Sequence, residues 1–405
     1  MLENKLYKPL QVFLGLLIVA TVLTYYTGQY TGTQKIGFTF LFPFLFILGL
    51  WHDRKTFNIK NSEISVFLLF VLLCLIGVFY PNFDFQRFEI VYPKIIAAFM
   101  GGYIALSFSK NSLYEDYFHL SYIFAVFILF YSEYLTGTFG LSGFYRPSGS
   151  RSIFTYNANY YSYFAFFANF SIFRLHLKYK NVLTVIGLLL VPLISIIMSF
   201  VTQSRSGLIF VLIANIVFWI WINQVRFQNP IKRLTAKLLL IIAGFFVLFQ
   251  FSRVYLQSSI QNRIGSNLQE DGRTYLMKEA INVFFEYPLT GVGTGNFVNY
   301  NPYHLFSHNS FTEALAEQGI LIGGLIILLF FLPVFKTTKL LLIHKSKPNL
   351  KLAWLFFTMF LLLNNVYVFY EASYAMMYFF VFVGYLYNLR DELSNSEDLV
   401  LIQNR

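Results

Sequence analysis

Apolar runs long enough to cross a bilayer recur along most of this chain. A spanning helix needs about 20 mostly apolar residues. Stretches of that kind centre on residues 10–27, 36–51, 64–80, 93–109, 117–135, 153–173, 182–201, 207–223, 234–252, 311–335, 351–369 and 372–389. Only 12% of the 405 residues are charged and 57% are hydrophobic, whereas an ordinary soluble domain is about one-quarter charged. A soluble protein could not hide that much apolar surface, so lipid must solvate much of it. The expected fold is all-α: a polytopic membrane helix bundle of about 12 transmembrane helices. The 50 Phe and 29 Tyr suit a protein with many interfacial aromatics. The first run, Leu10 to Tyr26, is long enough to span and shows no small-residue cleavage site, so it reads as a helix and not as a cleaved signal.

Charge sets the expected orientation. With both termini in the cytoplasm, about 20 of the 30 Lys and Arg fall on the inner side and every alternate loop agrees, as the positive-inside rule requires. That rule accounts for the net charge of +11, and no nucleic-acid partner is expected. The type of base also differs by side. The inner set has 14 Lys to 6 Arg; the outer set has 7 Arg to 3 Lys. Topology needs only charge, whereas guanidinium offers a fixed fork for phosphate oxygens. An Arg-rich outer surface therefore points to a phosphorylated ligand there. Cys74 is the single cysteine and lies in an apolar run, which excludes an internal disulfide and suggests no thiol chemistry.

One long stretch does not span. The chain accordingly divides into N-terminal transmembrane helices over 1–252, a large extracytoplasmic loop over 253–310 that carries the catalytic groups, and C-terminal transmembrane helices with a cytoplasmic tail over 311–405. Within the loop, Leu276, Ala280, Val283 and Phe284 share one helical face, with Lys278, Asn282 and Glu286 opposite. This predicts an amphipathic helix lying on the membrane surface and stopped by Pro288. The TGVGTGNF segment that follows, with Gly291, Gly293 and Gly295, must turn; no strand precedes it, so it is not a nucleotide-binding fingerprint.

Candidate chemistry gathers around this loop. His308 precedes a spanning helix whose start is marked by Ser310 and Glu313 in capping-box spacing. The positive end of the helix dipole favours anions and a neutral imidazole able to accept a proton. Glu317, one turn deeper, is costly inside a span unless it is paired or wet, and Glu371, near the next outer hairpin, is in the same position; each is a salt-bridge partner or a catalytic acid or base. Arg205 sits in a very short outer loop, the wrong side for topology, which favours a ligand phosphate. Arg146 and Arg151 flank a Gly/Ser-rich loop that enters a helix carrying Asn157 and Asn159, polar groups that suggest a wet cavity. His304 and His308 are four apart but lack the glutamate of a zinc helix, and no P-loop or Asp-x-Asp occurs; neither metal nor cofactor is expected. No pair of intramembrane carboxylates reads as an ion-coupled relay.

Four segments in order resemble one family. They are RPSGSRSIFTYNANYYSYF, the SRSG around Arg205, GRTYLMKEAINVFFEYPLTGVGTGNF, and HNSFTEALAEQGILIGG. Together, mainly over residues 140–335, they are similar to the O-antigen ligase and O-antigen polymerase superfamily of bacterial envelope enzymes. The chain departs from the family at Tyr156, where a proline often precedes the Asn. The resemblance implies a GT-C-like membrane glycosyltransferase of the bacterial plasma membrane, multi-pass, with its site on the extracytoplasmic side. Its donor would be an oligosaccharide on undecaprenyl diphosphate, used without nucleotide sugar or metal. Arg205 and Arg273, with Arg146 and Arg151, would hold the diphosphate. His308 would act on the acceptor hydroxyl with Glu317 beside it, and Asn157, Asn309 and Glu371 would line the cavity. Implied partners are the lipid-linked donor and acceptor, membrane lipid and a chain-length regulator protein.

Three functions are then open. A polymerase adds lipid-linked oligosaccharide to oligosaccharide to build O-antigen, capsule or exopolysaccharide. A ligase passes the finished glycan to lipid A core or another acceptor. A transporter of lipid-linked sugar or a small anion would show charges along the bundle midplane and inverted repeats; no clear repeat is visible, which favours an enzyme.

Overall fold

Most of the expected spans fall on helices in the computed structural model, which describes residues 2–28, 32–53, 62–80, 83–135, 158–202, 204–223, 230–257 and 272–403; the run expected over 351–369 is helical only as far as Leu363. In chain order the helices are α1 (Leu2–Tyr26), α2 (Gln34–Ile36, through a π-turn at Gly37–Leu41, into Phe42–Asp53), α3 (Ser62–Leu73, tightening to 3-10 over Cys74–Phe79), α4 (Phe85–Ser109), α5 (Ser112–Leu135), α6 (Ala158–Tyr179), α7 (Val182–Val201), α8 (Arg205–Val217), α9 (Pro230–Gln257), α10 (Gly272–Glu286), α11 (Ser310–Ile343), α12 (Pro348–Leu363) and α13 (Ser373–Gln403). No strand occurs among the described residues. Eight helices, α1–α5, α7, α8 and α11, are long and apolar enough to cross a membrane. The chain is a multi-pass, all-helical membrane protein.

The chain forms two compact units. The first comprises Met1–Pro43, Asp116–Leu268 and Ser346–Leu355; the second comprises Phe44–Glu115, Gln269–Lys345 and Phe356–Arg405.

In the first unit α6 is the buried element. Its sequence is too polar for a lipid-facing helix, and the reason is that protein surrounds it: Ser162, Asn169 and Ser171 are fully buried alongside Phe164, Phe167 and Phe170. The Asn169 amide donates to Ser195 Oγ on α7 at 2.7 Å, and its Oδ1 accepts from Asn215 on α8 at 2.9 Å. Interhelical bonds of this type contribute about 0.6 kcal/mol each inside a bilayer. Phe173 stacks on Phe218 at 4.1 Å, and Gly207 lets α8 close onto Ser162 of α6.

In the second unit, small residues let α4 and α13 meet. The Gly102 backbone lies under the Phe380 ring and that of Gly384 lies against Ser109, the close approach that membrane helices use in place of a hydrophobic drive. A buried ion pair joins α3 to α11: Lys336 Nζ is 2.8 Å from Glu63 Oε1. Tyr387 of α13 donates to the other carboxylate oxygen at 2.7 Å.

α11 departs from the single span expected over 311–335. Gly319 has φ 66° and ψ −175° and breaks it into two limbs. The first limb, 310–318, doubles back along the second, 320–343. The Phe311 ring lies 6.2 Å from Phe330 and 6.3 Å from Phe331; in one straight helix residues 311 and 330 would be roughly 28 Å apart. Gly323 packs directly on the Ala314 carbonyl.

Candidate active site

The TGVGTGNF turn is what holds the break open. Val292 and Gly293 donate their amides to the carbonyls of Ala316 and Glu317 at 3.0 and 2.8 Å, and Ile320 donates to the Pro288 carbonyl at 2.8 Å. The loop thus takes over carbonyls and an amide that the interrupted helix cannot satisfy. Gln318 adds a side-chain bond to Thr294 Oγ1 at 2.7 Å.

α10 packs against this assembly. The apolar face read from the sequence is the buried one: Leu276, Ala280 and Val283 are covered. Its cover is protein, because Ala280 and Val283 cluster with Val292, Phe297 and Ala316. The expected contact of that face with lipid is therefore replaced by a contact with the short limb of α11. Ile281, Phe285 and Leu289 are the large apolar groups that α10 and its end leave exposed.

The start of the short limb also differs from expectation. The N-cap is Asn309, whose Oδ1 accepts from the amides of Phe311 and Thr312 at 2.9 and 3.1 Å. Ser310 is the first helical residue, and its hydroxyl serves another purpose. It donates to the Tyr367 carbonyl and accepts from the Phe369 amide, both at 2.9 Å. Asn309 takes the cap, its NH2 reaching outward, because Ser310 is committed to Tyr367 and Phe369. That NH2 lies 3.2 Å from Asn365 Oδ1 and 3.4 Å from Met277 Sδ on α10. Glu313 returns to the Ser307 amide as a capping partner would.

His308 immediately precedes this cap. It is half-buried and held at φ 59°, in the left-handed region. Arg273, also half-buried, lies on α10 one turn before Met277, the residue that touches Asn309. The second unit thus brings the Arg273 and His308 segments onto neighbouring, directly bonded elements. His304 accounts for itself structurally, with Nδ1 3.1 Å from the Val298 carbonyl.

Behind His308 lies a buried group of carboxyls that the sequence did not announce. Glu313 and Glu317 on α11 and Glu371 in the turn between α12 and α13 interact electrostatically with one another. Neither oxygen of Glu317 has a hydrogen-bond partner among the described residues, and the backbone amides of Gly295 and Phe297 face it. Burial pushes the Glu371 carboxyl up to about 7, against the pull of Lys94. Lys94 lies on α4 with its ammonium 5.9 Å above the Phe306 ring. Lys94, just inside the span expected over 93–109, was the signal that could have found this group.

Arg205 belongs to the first unit. It is the exposed first residue of α8, where Ser204 caps the helix by accepting from the Gly207 amide at 3.3 Å. A cation at a helix N-terminus opposes the helix dipole. Guanidinium and helix end would together attract an anion. Arg146, Arg151 and Asn157 lie outside the described residues. No group of three or more metal-ligating side chains occurs among the described residues.

Residues 188–329 match a family described as O-antigen ligase. The match runs from α7 into the long limb of α11 and contains Arg205, Arg273, His308 and Glu317. It supports placement of the chain in the O-antigen ligase and polymerase superfamily, whose members are membrane enzymes of glycan assembly acting on lipid-linked glycans. No curated protein matches the chain significantly.

Proposed function

We propose that this chain is a plasma-membrane glycosyltransferase that polymerises undecaprenyl-diphosphate-linked oligosaccharide repeat units into a surface polysaccharide. The observation that carries the reading is the family match over 188–329, because Arg205, His308 and Glu317, singled out from their own surroundings, all fall inside it, as does Arg273. The termini are cytoplasmic and the α10–α11 region faces outward.

The reaction breaks one bond and forms one. The acceptor hydroxyl oxygen attacks the anomeric carbon of the donor sugar while the carbon–oxygen bond to phosphate breaks, and the polyprenyl diphosphate leaves with the electron pair. Arg205 and Arg273 bind the diphosphate and stabilise the negative charge that grows on it, fixed in place before the reaction begins. No metal is needed for that. The His308 imidazole takes the hydroxyl proton, a step worth about 10²–10⁴ in rate. Glu317, buried and unpartnered, orients the imidazole or receives its proton. Asn309 and Glu371 line the cavity, and Arg146, Arg151 and Asn157 complete the lipid-linked donor site. A chain-length regulator would act on the growing polymer from outside the chain.

The second reading is a ligase that passes the finished glycan to another acceptor; the description of the matching family favours it. One variant separates the readings. His308→Asn keeps a residue that tolerates φ 59° and removes the base. A polymerase variant leaves single-unit glycans on gels of the surface polysaccharide. A ligase variant accumulates long lipid-linked polymer. Unchanged chain length and unchanged transfer would end both.

A further inference from the structure

A second concavity lies on the far side of the TGVGTGNF turn, and the mechanism above makes no use of it. It measures about 680 Å³ and is lined by the start of α4 together with Asn296, Asn299 and Tyr300. That volume is in the range of a small-molecule site. All of its walls belong to the second unit.

Its chemistry is specific. Phe83, Phe85 and Tyr300 supply aromatic faces, and Asp84, Asn299 and Gln86 supply planar polar groups. The polar groups are pre-positioned. Asp84 caps α4 by accepting from the Arg87 amide at 3.1 Å, and its second oxygen accepts from Asn299 at 2.8 Å. Asn299 also donates to Asn296 Oδ1 at 2.7 Å, which fixes the amide. Gln86 is exposed. Phe85 stands 66% exposed at the rim.

We infer that this pocket is a saccharide subsite. A pyranose has an apolar C–H face that stacks on an aromatic ring, and an edge of hydroxyls that pairs with carboxylate and amide groups able to donate and accept. The lining carries one carboxylate and no cation, which is wrong for a phosphate headgroup and suits a neutral polyhydroxyl ligand. The placement is also suited to transfer. Asn296 lines the pocket while the amides of its neighbours Gly295 and Phe297 face Glu317. A glycan held here lies one backbone thickness from the buried carboxylates. The inference deepens the glycosyltransferase reading and rests on it for the identity of the natural glycan.

The test uses the full chain in lipid nanodiscs, with hexose and N-acetylhexosamine disaccharides as probes and saturation-transfer NMR as readout. Transfer to sugar ring protons is expected, with affinity falling about tenfold in Phe85→Ala and in Gln86→Ala. Both side chains are exposed, so the variants should keep the unfolding temperature of the parent. His308→Asn should bind disaccharide as the parent does. Absence of transfer from every probe, or equal transfer in Phe85→Ala and Gln86→Ala, overturns the subsite. Glycan assembly that survives in His308→Asn defeats the catalytic reading instead and leaves the disaccharide result to be judged by itself.

Discussion

Gly291 and Gly319 cross with no room for a side chain on either. A Cβ on Gly291 would lie 2.3 Å from the Glu317 carbonyl carbon, and one on Gly319 would lie 2.3 Å from the Leu289 oxygen. Both have φ 66°, which costs a residue with a side chain roughly 1–2 kcal/mol before any clash. Each neighbour is backbone, so neither can move aside. Gly291→Ala and Gly319→Ala should each lower stability by about 2 kcal/mol or more and abolish glycan assembly. Gly324→Ala is the control, since nothing lies within 4 Å of its Cβ position. Thermal unfolding in detergent reads all three. Tolerance of Ala at both crossing positions would mean that the two segments do not meet in this way.

Glu371 makes stability depend on pH with a definite sign. Burial raises its carboxyl from about 4.5 to about 7 in the folded chain. Lys94 on α4, Glu313 and Glu317 on α11, and Tyr367 and Tyr370 on its own turn share the surroundings. The folded state holds the proton more tightly than the unfolded state, so the stabilisation is complete below the unfolded value and is lost as pH rises through about 7, where the unfolded chain has already given up its proton. The unfolding temperature should therefore fall across that window. Glu371→Gln, permanently neutral, should flatten this part of the curve. An identical slope in parent and variant would assign the pH dependence to other groups.

Why some of this was legible and some was not follows from particular residues. The spans were readable because lipid imposes a length on apolar runs. The buried face of α10 was readable because Leu276, Ala280 and Val283 repeat at helical spacing. Its cover was not, since a periodic apolar face is the same whether lipid or protein lies against it. The fold-back of α11 was hidden for a related reason. One glycine among many in an apolar run carries no mark of a positive φ; the mark lies in its partner Gly291, 28 residues away. The carboxyl group was hidden because Glu317 and Glu371 lie far apart in the chain and nothing in either segment marks the other. The cap moved from Ser310 to Asn309 because both residue types suit it, and tertiary bonds to Tyr367 and Phe369 claimed the serine.

The Glu63–Lys336 pair offers a test independent of catalysis. Glu63 is fully buried and the Lys336 side chain is 30% exposed, with Ser62 and Tyr387 also bonded to the ammonium. Removing one partner leaves a buried charge uncompensated, which typically costs about 3–5 kcal/mol. Lys336→Met should destabilise strongly. Glu63→Gln should do so less, because the amide oxygen can still accept from Lys336 while its NH2 donates to the Tyr387 hydroxyl. Combining Lys336→Met with Glu63→Leu should recover much of the loss, since no buried charge remains. The double-mutant cycle measures the coupling directly. Additive losses would show that the two groups stabilise the fold separately.

Arg205 and Arg273 are proposed to act through the shape of guanidinium as well as its charge. Lysine preserves the charge but not the two-pronged donor geometry that fits phosphate oxygens. If the grip matters most as the diphosphate leaves, Arg273→Lys should lower turnover by about 10–100-fold while donor affinity changes less, because the interaction strengthens in the transition state. Arg205→Lys should behave similarly. Arg253→Lys, exposed near the end of α9, should be neutral. The measurement is polymer formation from purified lipid-linked donor, with rate and donor dependence separated. A loss confined to donor affinity would make these residues ground-state binders. Full activity in both lysine variants would remove bidentate diphosphate recognition from the mechanism, and with it the reason this outer surface favours Arg over Lys.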